Sequence, residues 1–321
     1  MNKHVKTLLL LCVIGIIVVV IILQRTKPSK NNNSPNISPT TNQEENDSSS
    51  FIESLRSRDY EPSQITIEST LSNNGSYIGY IFSYDSDGLK IYGRMNVPTG
   101  NGQFPVIILN HGYFNTSSFT SGDGTQAMAD ILARNGYLTS ASDYRGFGKS
   151  ENDSQGSRGH NPNYAIDILN LIASVASLNK ADANRIGMWG HSMGGEVSLR
   201  TIEATDKVKA AVLWAPTSTN ASENAAFYGR GRYTSPSPSQ GTENSYPNTD
   251  ISYITAPISL HQGLSDTEVD PEWSKELNEA LKREGKSIEY FEYLGQDHNF
   301  RNLGWDVISK RTIEFFDQYL R

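Results

Sequence analysis

The chain has 321 residues and a formal net charge of −7 spread without blocks of like sign, which argues against a nucleic-acid partner and for an ordinary polar surface. Its single cysteine, Cys12, excludes an intrachain disulfide framework, a thiolate zinc cluster and a cysteine nucleophile in the globular part. An apolar content of 36% is enough for one sizeable core with appendages.

Residues 5–23 read VKTLLLLCVIGIIVVVIIL, about the length that crosses a hydrocarbon core as a helix. A cleaved signal peptide would have a shorter apolar stretch ending in small residues, whereas this run ends in Leu23, Gln24 and Arg25. The expectation is a membrane anchor at 5–23 behind a short flank at 1–4. Lys3 and Lys6 precede the span and Arg25, Lys27 and Lys30 follow it, so charge hardly orients it. An N-terminal anchor of this kind usually leaves its domain outside the cytoplasm. Residues 24–60 are expected to be a polar linker, because Ile37 is the lone large apolar residue between 26 and 50 and burial there cannot offset the entropy of ordering. The main folded domain is then 61–321.

Two β-rich runs, 77–84 and 89–97, flank Asp85-Ser86-Asp87-Gly88 and predict a hairpin. Strand-like runs follow at 105–112, 137–146, 185–192, 208–216, 256–263 and 287–295, several of them almost continuously apolar, as strands buried on both faces are. Helical patterns lie between them at 125–135, 164–178, 196–203 and 271–284, with a last helix at 306–320. This alternation predicts an α/β fold with a mostly parallel eight-stranded sheet, covered by helices on both faces and begun by an antiparallel hairpin.

Residues 190–194, GHSMG, fit the pattern in which a tight strand-to-helix turn lifts a serine hydroxyl above a sheet. Serine is a poor nucleophile until a base takes its proton, and the base needs a carboxylate to fix its tautomer. With Ser192 as nucleophile the acid and then the histidine must follow it on loops at strand ends. His298, in Gly295-Gln296-Asp297-His298-Asn299, is the only histidine placed after a plausible acid loop. His191 supports the turn, and His261 packs at a strand end. Asp266, just past the strand that ends in Gly263, is the acid; Asp270 precedes Pro271 and suits a helix cap, while Asp297 would point away from its neighbour's ring. Two backbone N–H groups must face the oxyanion, and the candidates are Met193 and Tyr113, the latter preceded by the flexible Gly112.

The segments SYDSDGLKIYGRMNVP, LNHGY, YLTSASDYRGFGKS, NRIGMWGHSMGG, HQGLSDTEV and GQDHNF, in that order, resemble the α/β-hydrolase superfamily and within it the catalytic domain of the prolyl oligopeptidase family. The HGY and DYRGFGKS stretches also look like acetyl esterases of that superfamily. The resemblance implies the same roles for Ser192, Asp266, His298 and the loop of Gly112 and Tyr113. It leaves no room before Ile78 for the β-propeller of the larger peptidases, which puts peptide specificity in doubt. Arg145 stands at the expected active-site edge, where it either contacts substrate or braces loops by salt bridges. Residues 217–250 form a long segment carrying Phe227, Tyr228, Arg230, Arg232 and Tyr233, expected to be a lid, with Tyr113 and Tyr228 as further substrate contacts.

The expectation is therefore a serine hydrolase acting through an acyl-enzyme on a small or medium ester, by a chemistry that calls for no metal or organic cofactor. A peptidase acting on short peptides is the alternative, and a non-catalytic surface binding module is the rival from another class.

Overall fold

The computed structural model of the protein describes residues 51–153, 161–228, 250–301 and 304–321. The expected membrane anchor lies outside these residues, as does 229–249 of the expected lid; among the described residues no helix is long and apolar enough to cross a membrane.

Nine strands form one sheet: β1 (Thr66–Asn73), β2 (Tyr77–Ser86), β3 (Leu89–Pro98), β4 (Phe104–Asn110), β5 (Leu138–Ser142), β6 (Ala181–His191), β7 (Val208–Trp214), β8 (Ile258–Gly263) and β9 (Ile288–Tyr293). Their order is β1-β2-β3-β5-β4-β6-β7-β8-β9. The β1/β2, β2/β3 and β3/β5 pairs are antiparallel and every later pair is parallel. The sheet thus has nine strands where eight were expected. The added one, β1, is an edge strand with every residue exposed, so its sequence TIESTLSN carries no buried alternation to announce it.

The helices are α1 (residues 51–57), α2 (Gln126–Arg134), α3 (Tyr164–Ser174), α4 (Met193–Ala204), α5 (Ala221–Tyr228), α6 (Pro271–Arg283) and α7 (Gly304–Leu320). Helix α1 falls inside the stretch read as linker. Its Ile52 and Leu55 are buried in a small cluster with Ala165 and Leu169 of α3 and Ala204 of α4, so order begins at least ten residues before residue 61. Too few apolar residues lie there for a periodic signal, but two suffice when they meet a prepared surface.

Both faces of the parallel strands are covered. In β4, Val106 and Ile108 enter a core with Met188, Met193 and Val197, while Ile107 and Leu109 enter another with Trp189, Trp214 and Phe316. This two-residue alternation into two apolar layers is why those strands read as continuous apolar runs. The carboxyl ends of β4, β6, β8 and β9 lie toward one edge of the sheet, which collects the loops after Asn110, His191, Gly263 and Tyr293.

Candidate active site

Ser192 sits between the end of β6 and the first residue of α4, with φ 59° and ψ −126°. Side chains with a Cβ rarely adopt this conformation, so the surroundings must hold it. They do so through the backbone: Ser192 N–H donates to the Trp214 carbonyl at 3.0 Å, and the Ser192 carbonyl accepts from Gly195 N at 2.9 Å and Thr217 N at 3.2 Å. The turn is also too tight for side chains on its flanks. A Cβ at Gly190 would stand 2.2 Å from the Gly194 carbonyl oxygen. At Gly112 a Cβ would stand 3.1 Å from Ser192 Cβ, so the loop after β4 lies directly against Ser192.

The loops after β8 and β9 bring Asp266 and His298 together. His298 Nδ1 donates to Asp266 Oδ2 at 2.8 Å, with both side chains buried. Asp266 Oδ1 accepts from the backbone N–H groups of Glu268 (2.8 Å) and Val269 (2.9 Å), and Oδ2 accepts a second bond from Gln262 Nε2 at 3.1 Å. Burial pushes the Asp266 carboxyl upward, but the bonds from His298 and the two amides outweigh it and the net direction is down. Asp270 caps α6 by accepting from Glu272 N at 3.1 Å, as its place before Pro271 suggested, and Asp297 accepts from Asn299 N and Arg301 N.

His191, beside Ser192 in sequence, reaches His298. Its Nε2 donates to the His298 carbonyl at 2.9 Å, and the two rings lie 4.5 Å apart between centroids. Burial first, and the neighbouring His298 second, depress its pKa to about 3, so it stays neutral at physiological pH. Among the described residues Ser192 Oγ makes no hydrogen bond.

In the loop after β4, His111 is buried with its Nδ1 at 2.7 Å from the Gly112 carbonyl and its Nε2 at 3.3 Å from that of Asp143. Burial depresses its pKa to about 4, so the neutral ring has one proton to give, and the shorter bond assigns it to Nδ1. With the Gly112–Tyr113 peptide trans, a carbonyl held by His111 turns the Tyr113 N–H to the opposite side.

Arg145 does not reach for substrate. It is 5% exposed, and its guanidinium binds Asp167 through Nε (3.1 and 3.2 Å) and Nη2 (2.7 Å) and Asp153 through Nη1 (3.1 Å). The substrate-contact reading is corrected in favour of the brace, because a buried cation is retained only when fully paired. Tyr228, with Phe227, packs around Trp273 of α6 at centroid distances of 6.4 and 5.1 Å, while the Tyr113 side chain is exposed. Two contributors had no signal in the sequence. Gln262 lies under Asp266, and His191 is joined to a carbonyl 107 residues away; only the folded register of β6, β8 and β9 makes these pairs.

An uncharacterized 31.7 kDa Escherichia coli protein from the traX-finO intergenic region is 34% identical over 112 residues, 34% of this chain and 36% of that protein. The cutinase est2 of Thermobifida alba is 31% identical over 124 residues, 39% of this chain and 38% of the cutinase. The chain thus spans under half the length of these curated relatives. The acetyl xylan esterase from Paenibacillus sp. R4 superposes with a TM-score of 0.63 at 19% identity, covering 89% of this chain and 97% of that one, a likeness of fold. Residues 124–321, more than half of the chain and including Ser192, Asp266 and His298, match the prolyl oligopeptidase family, and to that family of α/β-hydrolases the protein belongs.

Proposed function

We propose that the protein is a serine hydrolase that cleaves small or medium acyl esters through an acyl-enzyme on Ser192. The observation that carries this reading is the buried 2.8 Å bond from His298 Nδ1 to Asp266 Oδ2, set on the same sheet edge as a serine held at positive φ. In the reaction, His298 Nε2 takes the Ser192 hydroxyl proton as Oγ attacks the carbonyl carbon, and Asp266 steadies the resulting imidazolium. The N–H groups of Met193 and Tyr113 receive the oxyanion. His298 then gives its proton to the leaving oxygen. A water, deprotonated by His298 in turn, releases the acid and restores Ser192.

An alcohol leaves with less protonation help than an amine, and the likeness to a cutinase supports the ester. The family match supports a second reading, a peptidase acting on short peptides. Turnover of p-nitrophenyl acetate and butyrate against aminoacyl anilides separates the two: esters should turn over faster, and anilide cleavage far above ester cleavage would overturn the preference. A fluorophosphonate probe should label Ser192, and folded protein that stays unlabelled would point to the binding module.

The apolar run at 5–23 supports membrane attachment of the full chain. Partition of the full-length protein into a carbonate-washed membrane fraction is expected, and its release by the wash would count against an anchor.

A further inference from the structure

Behind the acid lies a buried amide whose every hydrogen-bonding group is used. Gln262, the fifth residue of β8, has Nε2 at 3.1 Å from both Asp266 Oδ2 and the Gly263 carbonyl, while Ser274 Oγ of α6 stands 2.7 Å from its Oε1. Gln262 and Ser274 are fully buried. A carboxylate and a carbonyl can only accept, so the amide nitrogen must face them and the Ser274 hydroxyl must donate to Oε1. The orientation of the amide follows from chemistry alone.

The oxygen it touches is the one that faces His298. Asp266 Oδ1 is tied to two backbone amides, an arrangement about which the carboxylate could still pivot. The Gln262 bond closes that freedom, because Oδ2 is then held between Gln262 Nε2 and His298 Nδ1. It also draws charge from Oδ2, which tempers how strongly the carboxylate holds a proton on the imidazole. Two ionisable groups face His298 here: Asp266 through the hydrogen bond and His191 through the ring contact.

We infer that Gln262, oriented by Ser274, is a positioning residue that fixes the Asp266 carboxylate beside His298 and tempers its hold on the imidazolium formed during turnover. This inference rests on the assignment of Ser192, Asp266 and His298 given above.

The test uses the full-length chain and p-nitrophenyl butyrate. Gln262→Met keeps the volume and removes the donor. It should move the acid limb of the kcat/KM profile up by about half to one pH unit and lower kcat at pH 7 about tenfold, with KM unchanged within about twofold. Ser274→Ala leaves Gln262 in place with its amide no longer oriented and should give a smaller shift of the same sign, which decides the matter if the first variant does not fold. An acid limb that stays in place or moves down in a folded variant, whatever happens to Tm, overturns the inference and leaves Gln262 a packing residue. Activity surviving in Ser192→Ala would instead overturn the underlying assignment.

Discussion

The Cα of Gly194 lies so close to the Asn110 carbonyl that a Cβ on it would stand 2.0 Å from the oxygen. Helix α4, which begins just after Ser192, and strand β4 are in backbone contact there, and neither can retreat without shifting Ser192 against the loop after β4. Gly194→Ala should cost about 3 kcal/mol or prevent folding, because the obstacle is main chain rather than a yielding side chain. Thermal unfolding and soluble yield would measure this, and a variant with wild-type Tm would show that the two elements can move apart.

Ser192 is held in a backbone conformation that suits glycine. Ser192→Gly should therefore abolish turnover, by about three orders of magnitude or more, while raising stability by about 1 kcal/mol. Ser192→Ala should lose the same activity with no such gain. Comparing the two Tm values isolates the backbone effect from the loss of the hydroxyl.

Arg145 is predicted to matter for stability rather than for substrate. Arg145→Ala leaves Asp167 buried without its main partner and should cost about 3–5 kcal/mol. At temperatures where the variant is folded, its KM for p-nitrophenyl butyrate should match the wild type. A KM raised tenfold with unchanged Tm would restore the substrate-contact reading.

Stability should decline toward alkaline pH through two buried carboxyls. Glu203 is buried, and burial pushes its pKa up to about 8, with Arg200 and the Asp250 backbone N–H pulling the other way. Burial likewise raises Asp143 to about 7 despite a bond from Ser121. A group with a raised folded pKa binds more protons folded than unfolded. Its contribution is whole below the unfolded value, near 4.5 for Glu203, and is lost as pH rises through about 8. Glu203→Gln should flatten the fall in Tm between pH 5 and pH 9 (buffers spanning roughly that window) and be the more stable protein at the upper end. Parallel curves for the two proteins would refute the assignment.

What could be read from the sequence follows from what each element buries. The strand containing Val106 to Leu109 serves two cores, so its composition alone announces it, whereas β1 buries nothing and stays silent. Ser192, Asp266 and His298 were placed by chain order and by their positions at strand ends. Gln262 and His191 could not be, since a glutamine in a buried strand and a histidine in a turn have many uses, and register alone turns them toward Asp266 and His298. Arg145 was legible only as a choice between two roles, because its partner Asp167 stands on a helix 22 residues on and nothing local marks the pair.

Helix α1 touches the far end of α4, the helix that begins just after Ser192. Arg56 Nη1 donates at 2.6 Å to the carbonyl of Glu203, one of the last in α4, and its guanidinium lies 4.4 Å from the ring of Tyr253. A cation on a helix's closing carbonyls stabilises that helix, and α4 is the one that opens at Ser192. The segment joining the N-terminal run to the enzyme is thus not mere spacing. Its last turns act as a fastener on the helix behind Ser192, and trimming the protein back to residue 61 should narrow the thermal range over which the enzyme works while leaving its reaction the same.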